Sequence, residues 1–429
     1  MKKLFAMLLA LVMVLSLAAC QPKEKTDGPI EIEFLHTHGE TFGGPALEEI
    51  IKEFNETNGK GITVKTVLGA SYNETMATLQ SSLAAGTEPA LSTVAYSHLN
   101  YAGLNFNYVP ISDVIEKYFP EDKDYLTNKY EDSILSLGTT VDGNLLGCPY
   151  GLSIPLMYYN KGLLEQAGLD TENLPTTWQE VREYAKAIVD KTGKAGLYIQ
   201  IVGDTYSIIP MFYQAGIDPI YDKDSDGDGY RTDLATDGAV EVWTFFQDMF
   251  EEGTAVYMTN AEGQAAMIAG DLGMYLTTSA RINMFTDCGQ DIITGYHPKW
   301  EGRDLAVCLG GNMLTIWGQT EAKQKAAWEF IKFCLEPENM AKFDNATGYV
   351  PPTKDVTAEQ YTMLEHPMLK DVVDEKTYAR PWTSWPGAAG LQVDQHLVTL
   401  RDKIYHDGVD VKTALQEVTD TINGLISED

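Results

Sequence analysis

Between Ile30 and Ala95 the chain changes period repeatedly, and that alternation restricts its fold more than any other feature. Ile30 to Leu35 reads as a strand. Pro45 then opens a helix in which Leu47, Ile50, Ile51 and Phe54 recur on one face. Asn58-Gly59 stops it, and Ile62-Thr63-Val64 with Val67 begins a second strand. Ser71 is placed to cap a helix carrying Met76, Leu79 and Leu83, which Gly86 ends before a short strand at Leu91 to Ala95. Strand, helix, strand, helix, strand predicts an α/β lobe around a mainly parallel sheet. Sites in such sheets lie beyond the carboxyl ends of the strands. That places His36 to Gly44, Gly69 to Tyr72 and Tyr96 to Asn100 along one rim.

A second unit is expected from the Gly/Pro-rich stretch Gly147 to Gly151, followed by a strand at Pro155 to Tyr159. Thr177-Trp178-Gln179-Glu180 has the capping-box spacing and opens a helix with Val181, Ala185 and Ile188 inward. Helices are predicted at Val240 to Phe250 and Ala261 to Ala269, with a strand at Gly273 to Thr277. Ala327, Phe330, Ile331 and Cys334 line a helix halted by Pro337. Two more follow. Val393, Leu397, Leu400 and Ile404 mark one, and Val411, Ala414, Leu415, Val418, Ile422 and Leu425 the other.

The N-terminus addresses the chain elsewhere. Met1-Lys2-Lys3 precedes a short apolar run from Leu4 to Leu17, and Ala18-Ala19 stand before Cys20. A positive start, an apolar core and small residues at the cut describe a secretory signal over 1–19. Leu17-Ala18-Ala19-Cys20 resembles a bacterial lipobox, in which the thiol is acylated and becomes the first mature residue. Several acyl chains anchor stably where one is marginal. Residues 20–29, polar and containing Pro and Gly, read as lipidated N-terminus and linker. The rest should work outside the cytoplasm, held to the outer face of the membrane.

Length sets the next bound. At 429 residues the chain exceeds one ordinary core, so two lobes are expected. A formal charge of −31 repels nucleic acid and anionic lipid, which removes both as partners. Cys148, Cys288, Cys308 and Cys334 are widely spaced, without a CxxC signature, and read as mostly reduced and buried. No GxSxG, HExxH, Walker loop or GxGxxG is present, and nothing selects two carboxylates as a glycosidase pair, so a non-enzyme is expected.

Several segments, in order, carry a family resemblance. They are Ser71 to Thr75 leading to Leu83 to Pro89, Ile154 to Lys161 running into Ala167 to Asp170, and Pro175 to Glu180. Gly310-Gly311-Asn312, Glu336 to Asn339 and Gly348 to Pro351 complete the series. The chain resembles family 1 of the extracellular solute-binding proteins of ABC importers, the group with maltodextrin- and glycerol-3-phosphate-binding members. The resemblance implies a two-lobed periplasmic-binding-protein-like α/β fold, its ligand cleft between lobes joined by several hinge crossings. One lobe would comprise 30–149 with 310–346, the other 150–309 with 347–429. The implied function is capture of a mono- or oligosaccharide by a monomer and delivery to the permease subunits. Glycerol-3-phosphate or another sugar phosphate or polyol is the alternative, and a ligand-presenting receptor or glycoside-active enzyme the alternatives of other classes.

Sugar capture needs flat aromatic faces and short polar groups. Matched to the family, Tyr72 and Tyr349 line the site, and Ser153, Ser279, Gly310, Gly311 and Asn312 present hydroxyls and backbone N–H groups. Trp382 and Trp385, flanked by prolines and so excluded from regular helix, are expected as stacking platforms. Asp204 and Tyr206 occupy a loop after a strand, and His36 ends the first strand, as contact or as packing. The family's phosphate-binding arginine before the penultimate helix is missing from Ala388 to Gln395, which weakens a phosphorylated ligand and favours a neutral carbohydrate; Arg281 could offer another cation. No cofactor is required. Asp222, Asp224, Asp226, Asp228 and Asp233 fall at positions 1, 3, 5, 7 and 12 of a calcium-type loop with Gly227 at 6. Gly229 at position 8 and the short Asp233 depart from the pattern, leaving structural calcium and a solvated acidic hairpin as alternatives.

Overall fold

The computed structural model describes residues 28–200, 205–217, 221–223, 229–380 and 382–426. The signal, Cys20, Asp204, Asp224, Asp226, Asp228 and the side chain of Asp222 lie outside the described residues.

The first sheet has strand order Ile62–Leu68, Ile30–His36, Leu91–Ala95, Gly310–Ile316, Gly147–Ser153. The first three strands are parallel, as the alternation requires, and their helices carry the expected signals. Pro45 sits in the first turn of the helix Gly44–Thr57, whose Leu47, Ile50, Ile51 and Phe54 are buried. The Ser71 hydroxyl accepts from the Glu74 N–H at the start of Tyr72–Ala85, and Gly86 closes that helix at φ 69°. Pro337 both ends Glu321–Cys334 and opens Pro337–Thr347, because its missing N–H costs nothing in a first turn.

Gly310–Ile316 returns from far along the chain and runs antiparallel to both neighbours. Opposite it, Gly147–Ser153 carries Pro149, which has no N–H to give. The ladder slips there, pairing Met313 with Pro149 and Asn312 with Gly151. The bulged Tyr150 turns its ring onto Phe343, 4.3 Å away. The strand continues in the first sheet as far as Ser153, so the boundary expected after Pro149 falls inside a strand. The chain passes instead through the buried Ile154 into Pro155–Asn160.

That strand belongs to a second sheet, ordered Ile292–Gly295, Pro155–Asn160, Leu272–Thr278, Ala195–Ile199. Thr177 and Glu180 form the reciprocal capping box of Trp178–Thr192. This helix shares an apolar core with the last two, Gly390–Tyr405 and Val411–Ile426. A separate core joins the first sheet to Gly44–Thr57 and Glu321–Cys334. A third cluster bridges the sheets, from Leu35, Val94 and Met313 to Leu156 and Tyr275. The protein is thus a two-lobed α/β structure whose crossings are buried.

The lobes also meet away from the crossings. The Asn100 side-chain amide donates to the Ser384 carbonyl at 2.8 Å and to the Tyr221 hydroxyl at 3.1 Å, while its oxygen accepts from the Val141 N–H. The Asn100 N–H meets the Ser384 hydroxyl at 2.8 Å, and Asn105 donates to the Gly387 carbonyl. These bonds hold Leu99–Asn105 of the first lobe against the segment before Gly390–Tyr405.

Cys148, Cys288, Cys308 and Cys334 form no disulfide with one another; Cys288 is half-buried and the other three are buried. Burial pushes the thiols of Cys148, Cys308 and Cys334 up.

Candidate functional site

A cavity of about 680 Å³ opens where the rim loops of the first sheet face the second lobe. From the first lobe come residues after each parallel strand, including Thr37, Gly69, Tyr72 and His98; from the second come Tyr206, Thr278, Arg281, Trp382 and Asp394. Brought together here are Tyr72, Ser153, Tyr206, Arg281, Gly310, Gly311, Tyr349 and Trp382.

The floor is shaped by missing side chains. A Cβ on Gly310 would stand 2.6 Å from the Ser153 hydroxyl and 2.9 Å from the Tyr206 ring. Gly311 holds φ 121°, where a Cβ would strike the Gly151 carbonyl, and a Cβ on Gly151 would strike the Tyr349 ring at 2.5 Å. Glycine at these places lets two tyrosines lie against main chain.

On one wall the Tyr72 and Tyr349 hydroxyls are 3.1 Å apart. The Asn312 amide donates to Tyr72 at 2.9 Å and faces Nε2 of His38 at 3.3 Å. The Phe42 carbonyl, 3.3 Å from Nδ1 of His38, can only accept. Nδ1 therefore carries the proton and Nε2 accepts from Asn312. Burial lowers His38 to about 3, with neighbouring His36 adding to the effect, so the ring is neutral. Burial likewise raises both tyrosines, which stay protonated. Of the two phenolic hydrogens one spans the pair, and the other is available to the cavity.

The opposite wall is aromatic. Trp382 and Tyr206 stand 5.2 Å apart at 50°, forming an open corner. The indole N–H donates to the Thr205 hydroxyl at 3.1 Å, and that hydroxyl faces the Asp394 carboxylate at 3.4 Å. The half-buried ring is thus fixed in angle at the cavity lining. Such a corner suits the C–H face of a ring-shaped polyol.

Four expected contacts stand back from the lining. Trp385, three residues from Trp382, is only 1% exposed and packs on Tyr221 at 5.4 Å in the second-lobe core. Proline-flanked context excluded a helix but could not fix which way each indole turned. His36 is buried, its Nδ1 accepting from the His38 N–H at 3.2 Å. Ser279 is buried, and its hydroxyl accepts from the Ile154 N–H. Asn312 acts through Tyr72. Of the predicted metal ligands Asp233 is the one whose side chain is described, and it accepts from the Ala235 N–H in a local turn. Sequence reasoning missed His38, His98 and Asp394. The first two lie in or beside the predicted rim stretches, and position past a strand end was their one available signal.

Residues 49–370 match the family described as bacterial extracellular solute-binding protein. The sn-glycerol-3-phosphate-binding periplasmic protein of Agrobacterium fabrum is 26% identical over 316 residues, 72% of this chain and 71% of that one. The protein of the same description from Rhizobium meliloti is 27% identical over 315 residues, 72% of each. In three dimensions the chain is similar to the cyclic α-maltosyl-1,6-maltose binding protein of Arthrobacter globiformis, with TM-score 0.76 and 22% identity over 92% of this chain and 99% of that one. It is equally similar to the Mycobacterium tuberculosis protein UgpB in complex with glycerophosphocholine, with TM-score 0.76 and 20% identity over 92% and 98%.

Proposed function

Because the chain belongs to the bacterial extracellular solute-binding proteins, we propose that its cleft captures a polyhydroxylated solute of the carbohydrate class and hands it to the permease of an ABC importer. The observation that carries this reading is the pairing of the Trp382–Tyr206 corner with the hydroxyl-bearing Tyr72–Tyr349 wall. One wall offers faces for C–H groups, the other a hydrogen for a hydroxyl, and the glycine floor admits close approach. That is the chemistry of recognising a sugar ring, with little that would drive turnover. Lobes on either side of the cavity suit closure around a solute. The names of the similar proteins, divided between saccharides and glycerol phosphates, support a ligand rich in hydroxyls.

The same reading places the protein at the membrane's outer face through an acylated Cys20, the polar residues behind it serving as tether. A thermal-shift screen of mono- and oligosaccharides, glycerol and their phosphates tests the function, since a ligand raises the melting temperature with the logarithm of saturation. A rise with at least one hydroxyl-rich solute is expected. A flat response across the set, with amino acids or peptides raising the temperature instead, would reject it.

A further inference from the structure

Arg281 stands apart from three of the protein's other arginines. Arg182, Arg303 and Arg401 each meet a carboxylate, in a chain whose acidic residues outnumber its basic ones two to one. Among the described residues no carboxylate bridges to Arg281 and its buried Nε has no hydrogen-bond partner, and the residue lines the cavity. A half-buried guanidinium whose Nε–H is buried and unpaired costs stability unless something else supplies an acceptor.

Its position is built. Thr278 accepts from the Ala280 N–H to start the turn Ser279–Arg281, and Ser279 is bonded through N–H and hydroxyl to Ile154 at the crossing. Gly348, at φ 74°, packs where a Cβ would lie 2.7 Å from the Ser279 carbonyl. This contact sets Tyr349 beside the turn, and Arg281 acts electrostatically on the Tyr349 hydroxyl. Around the cavity His98 is the other group able to carry positive charge, and burial holds it neutral, near 4. Arg281 is therefore the cation of the lining, next to the wall that has a phenolic hydrogen to give.

Resting on the reading of the cleft as a carbohydrate site, we propose that the solute carries an anionic group, a carboxylate or a phosphate, which pairs with Arg281 beside the Tyr72–Tyr349 hydroxyls. The remainder of the solute then reaches the Trp382–Tyr206 corner. A guanidinium with free N–H groups matches either anion.

Calorimetry on the full mature chain with matched pairs decides it: D-glucuronate against D-glucose, and glycerol 3-phosphate against glycerol. The anionic member of at least one pair should bind about 10- to 100-fold more tightly than its neutral partner. Which pair responds separates carboxylate from phosphate. Arg281→Gln should abolish that preference, while Arg281→Lys, which keeps the charge, retains part of it and controls for folding. Equal or tighter binding of the neutral members, or a preference that survives Arg281→Gln, overturns the proposal and leaves the carbohydrate reading standing. Failure of all four solutes, with a solute of another class binding, overturns both.

Discussion

Tyr72 and Tyr349, 277 positions apart in the chain, share a hydrogen bond of 3.1 Å at the cavity wall. Asn312 fixes the first ring and the glycine at 151 admits the second. Tyr72→Phe removes the bond, one of the pair's two phenolic hydrogens and the acceptor of the Asn312 amide, without opening a void. Affinity should fall by about 0.5–1.5 kcal/mol, the scale of one net hydrogen bond. Calorimetry with the best solute from the screen reads it, and unchanged affinity would take this wall out of the binding site.

The two tryptophans should separate cleanly. Trp382→Ala is expected to weaken binding by about 1–3 kcal/mol, the cost of losing an aromatic contact, with the melting temperature changed little. Trp385→Ala opens a hole in the second-lobe core and should cost about 3–5 kcal/mol of stability. The folded fraction of that variant should still bind. Equal effects on binding from both would contradict their different placement.

How much of this was legible in the sequence depends on the range of the signal. Caps and helix faces are local, and Pro45, Ser71 and Thr177 act at the positions their spacing predicts. The rim loops follow from the same alternation. The insertion of Gly310–Ile316 between Leu91–Ala95 and Gly147–Ser153 is set by pairing across hundreds of residues, and no local period records it. The orientations of Trp382 and Trp385 were hidden for a related reason, because an irregular proline-flanked segment has no period to divide its faces. His38 escaped notice since a histidine's partners, here Asn312 and the Phe42 carbonyl, come only with the fold.

Asp344 gives a pH signature. It is fully buried, neither carboxylate oxygen has a hydrogen-bond partner among the described residues, and burial holds it well above its ordinary 3.8. The folded state therefore keeps the proton after the unfolded chain has lost it. Stability from this group is complete below pH 3.8 and declines as pH rises toward the folded value. Asp344→Asn, which cannot ionise, should stabilise relative to wild type by a margin that grows between acid and neutral pH. Denaturant melts at several pH values measure the margin, and a constant difference would mean that the carboxyl is ionised in the fold.

Asn100 joins the lobes by side chain and backbone together. Asn100→Ala takes from the Ser384 carbonyl one of its two donors, the Tyr221 hydroxyl being the other, and leaves the Val141 N–H without its acceptor, a loss of about 1–3 kcal/mol from the lobe contact. Solute should dissociate faster, and scattering should give a larger radius for the free protein. A radius and an off-rate equal to wild type would show that the contact does not hold the lobes together.

For the anchor, Cys20→Ser should release the protein from membranes into the medium, and the wild-type N-terminus should carry lipid by mass spectrometry. A variant that stays with the membrane fraction, beside a wild type without lipid, would refute it.

The strands Gly147–Ser153 and Gly310–Ile316 are neighbours in one ladder, and Ser153 pairs with Gly310 where both leave the first sheet. Two connections tied side by side cannot stretch or slide separately. For the proposed closure, this pairing leaves a rotation about the line where they exit as the softest motion. A solute touching Tyr72 on one lobe and Trp382 on the other acts as a spacer along that coordinate. Its size would set the angle at which rotation stops, so the shape offered to the permease would carry a measure of the cargo.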